Sequence, residues 1–512
     1  MASKGKEFGV DTSRGTPGEV SGKQAEQGEE RVWRAGREDP MPIRELPEAP
    51  NALHVLGPGM MLAALGVGLG ETILWPRLVI LFGPEIRWLF LVGVTLQAVV
   101  MIEMARYATA TGESIFFGAA RIARPIMWLF FGIAVMVYIW PGHVALGAQA
   151  FEDLTGITWY IPAVLGLITI GLVITFAKTV YTVIEAVLTT LIGILVIGST
   201  IIAALVGNFS DLVATMTGLF SFGYFPAEAV SGPQAAALFP LIVGAIAFAG
   251  PSGMQQMWYT LWLRDKGAGM GVYQPRIRGM FAIEEETTQP ARGFMFDVDD
   301  PENMRRWKGW RRWVQFDAWV LFFGITMLVT VIYTVLAQAA ARISPDAKAS
   351  IAGDDKGAAL DAMSAAFGQA GGGFLGALFY VFIAVIGWKM SLGIYDAFSR
   401  GQADMTYYFI PSTQRFGMNK IYFVFLWVLV AFGITMLFVT GEEDGPTAIL
   451  DILSVLSTFA MGAYCLLLLA TNNTLLPKKI RPGIITNILL AFAAVFYLGM
   501  LAYSYFAFGA IM

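Results

Sequence analysis

Cysteine and histidine are almost missing from this 512-residue chain: it has one cysteine, Cys465, and two histidines, His54 and His143. A disulfide framework needs paired cysteines, and cysteine- or histidine-based metal sites need clusters, so both are excluded. Charge is scarce too. Asp, Glu, Lys and Arg together make up 14% of the residues, and the formal net charge of −4 matters less than where the charges lie. The first residues are polar rather than a basic stretch leading into an apolar core, so no cleavable signal peptide is expected. The sequence has no phosphate-cradling glycine loop with lysine, no GxSxG elbow and no HExxH pair. Its soluble stretches are too short and polar for a catalytic domain. An enzyme is not expected, and no cofactor is called for.

What remains is apolar: 56% of the residues are hydrophobic. Residues 1–50, rich in Gly, Glu, Lys and Arg, read as a disordered tail. Residues 51–512 read as one all-α polytopic membrane domain. Its apolar runs, each near the roughly 20 residues a bilayer requires, number eleven. They cover about 57–82, 86–107, 125–149, 160–176, 181–206, 238–263, 316–339, 372–399, 419–440, 448–471 and 484–511. Lys and Arg collect on alternate loops, with ten between Arg264 and Arg312, whereas 150–159, 207–237 and 441–447 hold none. The positive-inside rule then puts the N-terminus in the cytoplasm of a cell (inner) membrane and the C-terminus outside. Between spans, Trp307, Trp310 and Trp313 with interleaved basic residues read as a helix at the inner membrane interface. The Ala- and Gly-rich stretch 340–371 reads as an outer cap.

Two apolar runs carry helix breakers. The first contains Gly66-Val67-Gly68-Leu69-Gly70-Glu71-Thr72, three alternating glycines and then a carboxylate. The sixth contains Ala249-Gly250-Pro251-Ser252-Gly253-Met254-Gln255-Gln256. Glycine weakens a helix and proline removes a backbone donor. Broken backbone inside a membrane is tolerated only where protein buries it or a wet cavity solvates it. Interrupted spans at matching positions of two halves mark a secondary transporter's midplane site. An offset of five spans gives the halves opposite topology. The expected fold is therefore a five-plus-five inverted repeat of the leucine-transporter type, with repeat one at about 57–206, repeat two at about 238–471 and an added helix at 484–511.

Gly57-Pro58-Gly59, then the first break, then Gln97, Ala105-Arg106-Tyr107-Ala108 and Thr111-Gly112-Glu113-Ser114 resemble the first two spans of Nramp-type metal transporters. The resemblance is specific over about residues 57–114. That family carries Asp-Pro-Gly-Asn in its first span, and Gly68-Leu69-Gly70-Glu71 stand there in this chain. It carries Met-Pro-His in the sixth, where this chain has Gly250-Pro251-Ser252-Gly253 and a displaced Met254. The resemblance implies a proton-coupled carrier of a small inorganic divalent cation. The departures remove its usual soft-metal ligands, and oxygen ligands suit harder cations.

An ionisable residue inside a span is a functional candidate. Glu71 is the expected metal or proton site. Gly68, Gly70, Thr72, Ala249, Ser252, Gln255 and Gln256 complete a substrate-binding set of hydroxyls, amides and freed carbonyls. Lys389, in the eighth span, has two readings: a fixed cation near the first break, in place of a mobile sodium ion and with a salt bridge to Glu71, or a lysine that snorkels inward with its stem packed on apolar surface. His143, after Pro141-Gly142, is a candidate proton relay or a kink residue. Glu185 and Asp396 are candidate inner gates. Asp396 with Arg400, four apart, also fits a helix-surface pair, and Glu103 with Arg106 a structural one. Protons are the expected coupling ion, the bilayer and a small solute or ion the expected partners. Two other functions stay open: carriage of a small organic solute such as an amino acid or amine, and a non-transporting membrane sensor or scaffold.

Overall fold

The computed structural model describes residues 31–52, 56–68, 70–277, 280, 293–353, 356–439 and 445–508. His54, Leu69 and residues 1–30 of the expected tail lie outside them. Apart from a short antiparallel pairing of Val32–Trp33 with Met41–Pro42, the described residues form helices and their connections.

Among the described residues, eight helices are long and apolar enough to cross a bilayer: Pro84–Thr111, Arg124–Thr155, Val180–Val206, Pro301–Ile343, Gly373–Phe409, Met418–Val439, Val455–Thr474 and Ile484–Ala507. A pair bent by 48°, Gly59–Gly66 with Gly70–Phe82, makes the first span. Tyr160–Phe176 and Ala235–Ala247 are shorter apolar helices, and the second resumes after a break as Gln255–Lys266. Together these are the eleven spans that hydropathy places, numbered 1 to 11 in chain order below. Spans 1–5 and 6–10 are the two halves, each opening on a broken helix, and span 11 is added.

Local chemistry explains the breaks. Gly250 has φ of 109°, which side chains rarely adopt, and Pro251 then denies the helix a donor. Across from it, Gly70 lies so close to the Phe248 carbonyl that no Cβ would fit, and a Cβ on Gly66 would lie 2.9 Å from Pro251 Cδ. The breaks of spans 1 and 6 therefore cross backbone against backbone. Span 3 kinks at Ile139–Pro141 between Arg124–Tyr138 and Gly142–Thr155, where Pro141 offers the Val137 carbonyl no N–H.

On one side of the bundle, Pro345–Ala352 and Lys356–Gly371 fold as helices over the ends of spans 7 and 8, the cap expected from 340–371. On the other side two expectations fail. Residues 31–50 are not an unstructured tail in this structure. Met41 and Leu46 are fully buried, and the segment docks mainly by backbone hydrogen bonds. Arg121 Nη1 donates to the carbonyls of Ala35 and Asp39, both at 2.9 Å. The Leu46 amide donates to Asn303 Oδ1 (2.9 Å), and Trp310 Nε1 to the Pro47 carbonyl (2.8 Å). The Asp299 amide and Arg31 hold the Asp297 carboxyl, at the edge of this segment, below its ordinary range. Nor does the tryptophan stripe face out of the protein. Trp307, Trp310 and Trp313 are at most 4% exposed, packed inward on one face of Pro301–Phe316 while Arg305 and Lys308 face out.

Candidate functional site

Glu71 sits where the two breaks meet and is 1% exposed. Its Oε1 accepts from the Gly250 amide at 2.6 Å and its Oε2 from the Gly68 amide at 3.1 Å. Broken helices leave amides without intrahelical partners. One carboxylate thus clasps span 1 to span 6 through donors that both breaks set free. The carbonyl of Gly68 is not free for a ligand: the Thr72 hydroxyl donates to it at 2.7 Å and the Thr72 amide at 3.1 Å.

Lys389 reaches the same break from span 8, also 1% exposed. Its Nζ donates to the Ala64 carbonyl and, at 2.6 Å, to the Val67 carbonyl. These acceptors end the first half of span 1, where the helix dipole favours positive charge. The expected salt bridge does not form. Both Glu71 oxygens face backbone amides and the ammonium faces backbone carbonyls, so each charge caps a helix end rather than the other side chain. Span 8 also brings Met390, whose sulfur lies against Gly68 and leaves no room there for a Cβ.

Span 6 supplies the facing wall. The Tyr138 hydroxyl donates to the Ser252 carbonyl at 2.7 Å and accepts from the Met254 amide at 3.1 Å. Ser252 therefore takes part through its backbone. Gln256 Nε2 donates to Gln97 Oε1 at 3.2 Å, and Gln256 Oε1 accepts from the Tyr464 hydroxyl at 3.1 Å. Gln255 Oε1 is buried without a partner. The Ala249 methyl packs towards Gly93. The structure thus brings Gly68, Gly70, Glu71, Thr72, Ala249, Ser252 and Lys389 together, with Gln255 and Gln256 beyond them.

Tyr138, Met390 and Asp317 were not among the expected site residues. Asp317 Oδ2 accepts from the Gly59 amide (2.9 Å) and the Tyr259 hydroxyl (2.8 Å), tying span 7 to the start of span 1. Its signal was in the sequence, a carboxylate opening an apolar run. Tyr138 carried none, because a tyrosine in an apolar span is ordinary.

The candidate gates lie elsewhere, at the basic-loop ends of the helices. Glu185 pairs with Lys266 at 2.5 Å and accepts from the Tyr181 hydroxyl at 2.9 Å. Asp396 accepts from Arg400 and the Tyr422 hydroxyl, both at 2.7 Å, and from Trp262 Nε1 at 2.9 Å. Asp396 and Arg400 are fully buried, so this is not a helix-surface pair. Glu103 and Arg106 do form the expected local pair, at 2.6 Å. His143 lies after the span 3 kink, with Nδ1 buried and unpartnered. No group of three or more His, Cys, Asp or Glu side chains gathers among the described residues as a metal cage would need.

Two broken helices crossing at their breaks, in two inverted five-span halves, define the leucine-transporter-type fold. No protein-family model matches the chain, and no curated protein matches its sequence. Solved structures do match in fold. A mutant of the manganese transporter of Eremococcus coleocola superposes with a TM-score of 0.62 over 91% of each chain, at 13% identity. The same transporter with an aromatic bis-isothiourea compound gives 0.59 over 90% of each chain, at 14% identity. A nucleobase-cation-symport-1 family transporter, closed with bromovinylhydantoin bound, gives 0.52 at 13% identity over 90% of this chain and 96% of that one.

Proposed function

We propose that this chain is a secondary active carrier of a small organic solute. It works by alternating access across a cell membrane, with its N-terminus on the cytoplasmic side, and the Lys389 ammonium stands in for a mobile metal cation. The observation that carries this reading is the pair of hydrogen bonds from Lys389 Nζ to the Ala64 and Val67 carbonyls. In carriers with broken helices, unwound carbonyls of this kind coordinate the coupling cation. A tethered cation there leaves protons as the coupling ion, with Glu71 the group that exchanges them. Protonation removes one acceptor from the clasp between the breaks and so loosens it. Solute uptake into proteoliposomes is expected to ignore sodium and follow a proton gradient. Lys389→Ala is expected to abolish uptake or make it sodium-dependent. Sodium-dependent uptake by the unaltered chain would overturn this reading.

Divalent-metal transport, as the Nramp resemblance implies and as the name of the manganese transporter suggests, keeps one favourable observation. Glu71 and the Met390 sulfur both lie against Gly68, a carboxylate and a soft ligand at one break. Manganese uptake that is lost in Met390→Leu would establish it. Against it stand the two amides that already occupy the carboxylate and the ammonium beside it.

A further inference from the structure

One short helix is built inside out. Phe209–Gly218 follows span 5, which ends at Val206, and packs on the last turns of span 7 and the start of span 2. Its inward face is polar or small. Asp211 pairs with Arg342 at 2.9 Å, and Gln338 Nε2 donates to the Thr215 hydroxyl at 2.7 Å. Gly218 lies so close to the Pro84 carbonyl that no Cβ would fit. The outward face is apolar. Phe209, Leu212, Val213 and Met216 are exposed there at the spacing of a single helix face, and Phe220 continues it just past the helix end. Phe209 is 80% exposed. The other exposed side chains of the helix, Ser210 and Thr217, are uncharged. A helix on the water-facing surface of a protein has the opposite arrangement, apolar inward and charged outward.

The place of this face in the bundle says what covers it. Span 5 turns Ile194, Ile197, Ile201 and Leu205 outward, a stripe on the bilayer-facing side of a membrane helix. Only residues 206–208 separate that stripe from Phe209. The ties to Gln338 and Arg342 hold the helix level with the last turns of span 7, which ends at Ile343 where the cap begins. The apolar face therefore continues the lipid-facing surface to the edge of the membrane. A second copy of the chain has too little to hold. A ten-residue helix is about 15 Å long and about 10 Å across, a face of about 150 Å², whereas a stable interface takes about 800 Å² from each partner. Charge gives no reason to seek anionic headgroups either, because residues 207–237 hold no Lys or Arg and Asp211 is turned inward. We propose that Phe209–Gly218 is an interfacial helix whose outward face lies among the acyl chains of the leaflet at the cap end, held there by apolar contact. Its polar face docks on the protein instead of on headgroups, so the helix seats the ends of spans 2, 5 and 7 against the bilayer.

The test is spin-label accessibility in the full chain, with Cys465→Ala as background, reconstituted into phosphatidylcholine vesicles at a large excess of lipid. Val213→Cys and Met216→Cys carry the nitroxide on the helix. Ile197→Cys on span 5 is the lipid-facing reference, and Lys348→Cys on the cap is the water-facing one. All four side chains are exposed, so the fold tolerates their replacement. Oxygen, which concentrates in hydrocarbon, is expected to relax the labels at positions 213 and 216 more strongly than a water-soluble nickel chelate does, in the same order as at position 197. At position 348 the order is expected to reverse. The proposal is overturned if the chelate is the stronger relaxant at either helix position, which puts the face in water. It is equally overturned if neither reagent reaches them, which puts protein on the face, a second copy included. No transported solute enters the measurement, so its outcome is independent of the carrier reading.

Discussion

Glu71 shows how one residue's chemistry sets the site. A carboxylate in a membrane interior is costly unless hydrogen-bonded, and this one is bonded at each oxygen to an amide from a different span. Glu71→Gln keeps its shape but replaces one acceptor with an NH2 group that faces an N–H. One buried amide then loses its partner, a cost of about 1–3 kcal/mol. The expected outcome is a lower melting point in detergent and uptake that no longer responds to a pH gradient. Unchanged melting and an unchanged pH response would refute the clasp. Glu71 itself was legible in the sequence, since a carboxylate after Gly68-Leu69-Gly70 in an apolar run is conspicuous. Its partners were not. Sequence offered Lys389 as the opposite charge, but both charges found backbone groups that the breaks had exposed, and unpaired backbone is invisible in a string of side chains.

Among the elements, hydropathy located the spans and glycine and proline located the breaks, because both are local properties of the chain. The docked segment 31–50 was not legible for the opposite reason. Its buried apolar anchors, Met41 and Leu46 among them, are scattered between polar residues, and much of the rest of its attachment runs through backbone groups, so its composition resembles that of an unstructured tail. Arg121 is its main anchor. The guanidinium grips Glu113 at 2.6 and 2.8 Å and also takes the carbonyls of Ala35 and Asp39. Arg121→Ala would strip a buried carboxylate of its partner, at a cost of about 3–5 kcal/mol. It is expected to lower the melting point and to expose the backbone of residues 35–39 to protease. Arg121→Ala with Glu113→Gln should recover part of the melting point while leaving the segment protease-sensitive. An equal loss in single and double variants would sink that account.

At the scale of the whole molecule, the alternating access proposed above would part the second half of span 6 from span 8 on the basic-loop side, and in this structure they are bound there by a buried chain of charges. Arg400 joins Asp265 of span 6 to Asp396 of span 8, all three without solvent exposure. Arg264 binds Asp404, which accepts from the Ser114 hydroxyl at 2.7 Å. The i,i+4 spacing of Asp396 and Arg400 suggested a local pair, and nothing in that spacing reveals the cross-chain partner Asp265. The network closes this side, so opening it must separate buried charges. Removing Asp265 leaves Arg400 on Asp396 and Arg264 on Asp404 but cuts the tie between spans 6 and 8, which biases the proposed carrier towards the open state. In a background where Cys465 is replaced by Ala, a cysteine at the buried Ser399 reports on that opening. Asp265→Asn is expected to raise its alkylation rate by a water-soluble maleimide at least tenfold and to slow net uptake. Arg400 keeps Asp396 at 2.7 Å after that change, so adding Arg400→Gln acts on a tie already cut and should open this side little further. The two effects are thus expected to be non-additive, as for residues in direct contact. Strictly additive effects, or a Ser399→Cys rate unmoved by Asp265→Asn, would mean that the network supports the fold without gating it.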